Sequence, residues 1–188
     1  MLGNAAEAAA RRGARVVMLS DRAGLLHAPE GLSAEDVAAL RARRAEGGTL
    51  EAGADALGAR WRAGETPWGV ECDVALPCAT EREIDRADAE ALAEGGCRVV
   101  VEGANLPVTA DARRALGAAG VAFGPGKAAN LGGVAMSGLE MSQDAARLRR
   151  DPDTLADALA RIMRESHDAC VAEGDALAPR IGGAVQGA

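Results

Sequence analysis

Five consecutive stretches decide the fold: the apolar run Cys72-Asp73-Val74-Ala75-Leu76-Pro77, a helical pattern from Asp85 to Glu94, the run Arg98-Val99-Val100-Val101, a second helical pattern from Thr109 to Ala119, and the short run Val121-Ala122-Phe123. Short β-branched runs alternating with helices of this length form βαβ units, and such units build a mostly parallel sheet covered by helices on both faces. Upstream, Ala14-Arg15-Val16-Val17-Met18-Leu19-Ser20 is a further compact apolar run ending at Asp21, and it reads as a buried strand of the same parallel sheet. The segment from Arg22 to Gly31, interrupted by Gly24, Pro29 and Gly31, reads as a loop. Ser33 with Asp36 resembles a helix start leading to a helix as far as Glu46, and a second short helix is expected from Thr49 to Arg60, followed by a Pro67-Trp68-Gly69 turn. An alanine-rich helix should open at Gly3-Asn4 and stop at Gly13. Downstream, helix is expected from Gly126 to about Arg150 and, after the Asp151-Pro152 break, from Asp153 to about Glu173, with an irregular tail from Gly174. The whole of residues 1–188 reads as one domain.

Composition narrows the function. The chain of 188 residues carries 21 Lys and Arg against 28 Asp and Glu, a net charge of −7, which argues against sequence-independent nucleic-acid binding. Only 2% of residues are aromatic and none is tyrosine, so base-stacking platforms are scarce. No stretch has the length and apolarity of a membrane span, and the N-terminus lacks the pattern of a signal peptide, so a cytoplasmic protein is expected. The four cysteines, 72, 78, 97 and 170, have no CxxC spacing and only His27 and His167 beside them as nitrogen ligands; buried free thiols are expected and no metal site.

In a doubly wound sheet, ligands bind beyond the carboxyl ends of the strands, so the residues after each strand are the candidates. Gly3-Asn4 opens a helix, where free N–H groups and the helix dipole favour a pyrophosphate. Asp21 follows eighteen positions later, near the ~20-residue spacing at which an acidic residue meets an adenosine ribose; capping of the following turn is the equal alternative. Pro77-Cys78-Ala79-Thr80, Glu102-Gly103-Ala104-Asn105-Leu106-Pro107 and Gly124 to Val134 each combine small residues with an amide, a hydroxyl or a charge. Three such loops on one sheet edge would form a groove for an extended, multiply hydrogen-bonded ligand. Ser137 can also be read as a back-bonded helix hydroxyl, Lys127 and His167 as surface residues, and Cys78 as a packed thiol.

The run from Gly126 to Met141, with Ala75-Leu76-Pro77-Cys78-Ala79-Thr80 and Glu102-Gly103-Ala104-Asn105, closely resembles the cofactor domain of hexameric glutamate dehydrogenases, and the resemblance extends from Gly3 to Gly187. It implies a Rossmann-type domain with long C-terminal helices that binds NADP or NAD. Gly3, Asn4, Asp21, Arg22, Ala79, Thr80, Asn105 and Asn130 would contact the cofactor, with Asn130 holding the nicotinamide carboxamide. Gly133, Val134 and Ser137 would face L-glutamate or 2-oxoglutarate, the serine hydroxyl bonding the substrate's side-chain carboxylate. The Ser-Gly-Leu-Glu-Met run favours glutamate over the leucine, phenylalanine and valine relatives. Between cofactors the reading leans to NADP: Asp21 would repel a 2′-phosphate and Arg22 attract one.

The sequence also departs from that family. Met1 stands where the first glycine of the phosphate turn is expected, Ala5 replaces a usual valine, and the first, central strand has no counterpart. Two strand edges should therefore lie open and the isolated chain should be poorly stable. No segment resembles the family's substrate domain with its catalytic lysine and proton-transfer acid, so no catalytic residue is assigned in this chain, and by itself it is expected to be inactive. Val185-Gln186-Gly187-Ala188 matches a motif after which the family continues into further helix. The rival reading is a catalytically silent nucleotide-binding or interaction module; a methyltransferase of similar fold conflicts with the motif after Gly126.

Overall fold

The computed structural model describes residues 3–177; the expectations about Met1, the residues after 177 and the Val185 to Ala188 motif lie outside the described residues. The elements run α1 (Asn4–Ala10), β1 (Val16–Asp21), β2 (Gly24–Leu32), α2 (Ala34–Ala45), α3 (Leu50–Ala56), β3 (Arg60–Ala63), a 3-10 turn (Pro67–Gly69), β4 (Val74–Ala75), α4 (Arg86–Glu94), β5 (Val99–Val101), α5 (Ala110–Ala118), β6 (Ala122–Gly124), α6 (Gly126–Ala129), α7 (Leu131–Ala146) and α8 (Pro152–Leu177).

Local side-chain chemistry sets the helix starts. The Ser33 hydroxyl accepts from the Asp36 N–H at 3.1 Å while the Ser33 N–H donates to the Asp36 carboxylate at 2.9 Å, a reciprocal pair that satisfies two donors at the start of α2. Asp85 and Asp88 do the same for α4, at 3.0 and 3.1 Å. Thr49 and Thr109 each accept a single N–H, from Ala52 and Ala112, to open α3 and α5. The long helical region expected from Gly126 breaks at Asn130, and α7 ends where Arg147 turns left-handed, at φ 51°. Asp151 restarts the chain as α8, accepting from the Asp153 and Thr154 N–H groups. Contrary to the irregular tail expected from Gly174, α8 continues to Leu177.

The strands form two three-stranded sheets, in the orders β1-β2-β3 and β4-β5-β6. The second is parallel throughout, with Val74 opposite Val99 and Val100 opposite Phe123, as the alternation of apolar runs and helices requires. The mixed α/β class with a Rossmann-like parallel sheet and long C-terminal helices therefore holds. The first sheet corrects the sequence reading: β1 is not a strand of the parallel sheet, and Arg22 to Gly31 is not a loop. After the Asp21 turn the chain doubles back as β2, antiparallel to β1, with Asp21 opposite Gly24 and Leu19 opposite Leu26. The expected second helix stops at Ala56, and β3 follows it from Arg60, antiparallel to β2.

Each sheet has its own core. Ile84, Leu92, Val100 and Leu116, each at most 1% exposed, lie with Ala89, Ala112 and Trp68 in the core associated with the parallel sheet; burying such aliphatic side chains stabilises by about 1.5–3 kcal/mol apiece. Leu26, Leu32, Val37, Leu40 and Leu50 form the second core, between β2 and the helices α2 and α3. Glu7 ties α1 to α2 through Arg41, and that hydrogen bond, outweighing the burial that opposes it, holds the Glu7 carboxyl below its ordinary value. β1 and β3 are the edges of one sheet and β4 and β6 of the other, and the β4 edge leaves Val74 52% and Leu76 38% exposed.

Candidate functional site

Three loops leave the carboxyl ends of β4, β5 and β6, and hydrogen bonds sew them together. The Pro77 carbonyl accepts from both the Gly103 and the Ala104 N–H at 3.0 Å, joining the loop after β4 to the loop after β5. Glu102 then joins the loop after β5 to the start of α6. It is 5% exposed, its Oε2 accepts from the Gly126 N–H at 2.7 Å, and its Oε1 accepts from the Val108 N–H at 3.3 Å. Finally the Asn130 Nδ2 donates to the Ala104 carbonyl at 2.8 Å. The backbone at Gly103 is pressed so close to Cys78 that a Cβ there would run into the cysteine sulfur, which is why the motif needs glycine at this position.

The structure thus brings Ala79, Thr80, Asn105 and Asn130 onto neighbouring loops of one sheet edge. Ala79, Thr80 and Asn105 are exposed and Asn130 is half-buried. The Ala79 and Thr80 N–H groups donate to the Glu83 carboxylate, so this turn is shaped from within the chain. Glu102 was visible in the sequence only as part of a motif; its place as the buried tie follows from two N–H groups that are remote from each other along the chain. Its carboxylate thus occupies the first N–H of α6. One surface concavity is lined by the starts of α4 and α5, including Asp85, Arg86 and Thr109, and by none of the loop residues named above.

The other candidates lie on different elements. Gly3 caps α1 with φ 99°, a left-handed conformation suited to glycine, and Asn4 is the exposed first residue of that helix. Asp21 caps the β1–β2 turn, accepting from the Ala23 N–H at 2.8 Å, and also lies 3.6 Å from the Arg44 guanidinium, while Arg22 is exposed beside it. Arg44 comes from α2. On α7, Gly133, Val134 and Ser137 are all exposed; Val134 at 73% and Met141 at 71% flank Ser137 on one apolar helix face. Lys127 and His167 are exposed. Burial, more than the nearby Glu83, pushes the Cys78 thiol up, so at neutral pH it is a packing group under Gly103. Among the described residues no group of three or more His, Cys, Asp or Glu side chains could hold a metal ion, and no helix is long and apolar enough to cross a membrane.

A parallel sheet whose carboxyl edge carries three interlocked small-residue loops is an α/β architecture in which ligands bind beyond the strand ends. The chain belongs to the glutamate/leucine/phenylalanine/valine dehydrogenase family, whose model matches residues 2–187. Among its relatives, the NADP-specific glutamate dehydrogenase of Haemophilus influenzae is 44% identical over 167 residues, 88% of this chain and 37% of that protein. The enzyme of the same name from Escherichia coli is 42% identical over 171 residues, 90% of this chain and 38% of that one. The crystal structure of Plasmodium falciparum glutamate dehydrogenase superposes with a TM-score of 0.84 at 32% identity, over 97% of this chain and 40% of that one. A hetero-hexameric glutamate dehydrogenase from Thermus thermophilus gives 0.74 at 28% identity. The chain therefore spans about two fifths of the length of these relatives.

Proposed function

We propose that residues 1–188 are the dinucleotide-binding domain of a glutamate dehydrogenase that reversibly converts L-glutamate to 2-oxoglutarate and ammonia. The observation that carries this reading is the edge formed by Pro77 to Thr80, Glu102 to Pro107 and Gly124 to Asn130, held by Glu102 and Asn130. A bound nicotinamide cofactor would supply hydride transfer, and the protein would supply positioning and water exclusion. Ala79, Thr80 and Asn105 would line the ribose and nicotinamide side. Asn130 spends its Nδ2 on Ala104, which leaves its carbonyl oxygen as the group to accept from a carboxamide. Gly3 and Asn4, at the start of α1, would take the pyrophosphate.

NADP is the proposed cofactor. Arg44 beside Asp21 offsets the carboxylate that would repel a 2′-phosphate, and Arg22 adds a second cation at the same turn. The relatives named NADP-specific support the same choice. The exposed Val134, Ser137 and Met141 face of α7 would meet the substrate, with the Ser137 hydroxyl on its distal carboxylate. The groups that polarise the substrate and move its proton would come from a substrate domain beyond these residues, closing over the cofactor. A homohexamer is proposed for the complete enzyme.

The test is Ser137→Ala in the complete enzyme. A hydrogen bond to a charged group contributes about 1.5–3 kcal/mol, so KM for glutamate should rise about tenfold or more. An unchanged KM would remove Ser137 from the substrate site. Glutamate-dependent NADPH formation should be absent from the 188-residue chain alone; its complete absence from the longer protein as well would favour the silent binding module.

A further inference from the structure

We infer that Cys72 and Cys97 form an oxidisable dithiol that closes to a disulfide on exposure to a hydroperoxide, covalently tying the start of β4 to the start of β5. Val74 pairs with Val99 across the parallel sheet, and each cysteine stands two residues before its valine, at the same step of the two strands. The Asp73 carbonyl accepts from both the Arg98 and the Val99 N–H, at 2.9 and 3.1 Å, which fixes the segments side by side between the two sulfurs. Cys72 packs against the buried cluster that contains Cys97. Adjacent strands bring Cα atoms within the range a disulfide can bridge.

The two cysteines differ in environment. Cys97 is buried at 5% exposure, with its sulfur 3.4 Å from the Val99 carbonyl, whereas Cys72 is half-buried and gives access from solvent. The neighbouring Cys72 brings the Cys97 thiol down to about 7, while Cys97, with burial behind it, pushes Cys72 up. Cys97 is therefore the nucleophile. Its thiolate sulfur attacks one peroxide oxygen and breaks the O–O bond; the released hydroxide takes up a proton to leave as water, and Cys97 becomes a sulfenic acid. The Cys72 sulfur then attacks the Cys97 sulfur, forming the S–S bond; the sulfenic oxygen departs and the Cys72 proton accompanies it as a second water. Two thiols and one hydrogen peroxide become one disulfide and two waters.

This pair lies at the end of the strands opposite the cofactor loops, so it is independent of the proposed function. β4 pairs through only Val74 and Ala75, and the bond would hold this short edge strand in the sheet.

The experiment treats the reduced 188-residue chain, shown by circular dichroism to be folded at low temperature, with one equivalent of hydrogen peroxide. Remaining thiols are alkylated and the disulfides mapped by mass spectrometry after cleavage before aspartate, which separates Cys72 from Cys78 at Asp73. The expected product is a Cys72–Cys97 bond, reversed by dithiothreitol and at least about tenfold more abundant than any other pairing, because only these two sulfurs are held at high effective concentration. Cys72→Ser, at the half-exposed position, should abolish it. A dominant crosslink through Cys78 or Cys170, or the same mixture of pairings from folded chain and from chain in concentrated urea, would overturn the inference.

Discussion

A chain extended ahead of Gly3 by a short apolar, β-branched segment ending in Gly-Ser unfolds with a free energy at least about 3 kcal/mol above that of the 188-residue chain. β1 and β4 each stand at one edge of their sheet, with β2 and β5 as their single partners. In the doubly wound order these are the positions that flank the central strand. An inserted strand would satisfy the free backbone groups of both edges and cover Val74 and Leu76. Four or five buried apolar side chains at about 1.5–3 kcal/mol each outweigh an ordering cost of about 1–2 kcal/mol per residue by only a modest margin. That margin is still large against the about 5–15 kcal/mol stability of an ordinary domain. Urea unfolding reads the effect, with a steeper transition as the two sheets merge into one cooperative unit. An equal-length segment rich in Lys and Pro should add nothing. A cooperative, high-temperature melt of the unextended chain, unchanged by the apolar extension, would contradict the two open edges.

The second large effect is at Glu102, measured in the extended chain so that unfolding is cooperative. Replacing Glu102 with Ala leaves the Gly126 and Val108 N–H groups buried without their acceptor and opens a gap between the loops. The expected loss is about 3–5 kcal/mol. Glu102→Gln keeps the shape but turns one acceptor oxygen into an NH2 that confronts an N–H, and about 2 kcal/mol is lost. Glu90→Gln serves as reference: its partner Arg86 is a solvent-exposed i,i+4 pair, and the change stays within about 0.5 kcal/mol. Equal urea midpoints for Glu102→Ala and Glu90→Gln would show that the loops are not held by this carboxylate.

The parts of the fold that were legible in the sequence are those governed by local chemistry. Ser33 with Asp36 marked a helix start, and the apolar runs around Val74, Val99 and Phe123 marked the parallel strands. The strand β2 was illegible because Gly24, Pro29 and Gly31 normally break structure. In the fold they sit where pairing permits them. Gly24 closes the hairpin opposite Asp21, while Pro29 and Gly31 fall in a stretch where the register slips by three residues between the Leu32–Val16 and His27–Met18 pairs. Pairing partners are set by the other strand, so no window on β2 alone contains that information. β3, only four residues long, went unread for the same reason.

The site divides in a similar way. Its loops were legible because glycine, asparagine and proline follow each parallel strand at short spacing. The ties between them were not, since Glu102 reaches Gly126 and Asn130 reaches Ala104 across the sheet edge. Asp21 illustrates the limit most clearly. Both of its readings rested on one carboxylate at a strand end, and the turn-capping one is present in the fold; its ion-pair partner Arg44 arrives from a helix that sequence adjacency does not connect to it.

The most direct measurement is a titration of the 15N-labelled chain with NADPH and, in parallel, NADH, followed through the backbone amides. A dinucleotide site on this sheet edge requires the largest shifts at Gly103 to Leu106, Gly126 to Asn130 and Gly3 to Asn4, with NADPH binding more tightly and the amide of Arg22 responding to NADPH above all. Saturating NADPH that leaves these amides in place, or shifts confined to the concavity at Asp85 and Thr109, would contradict it.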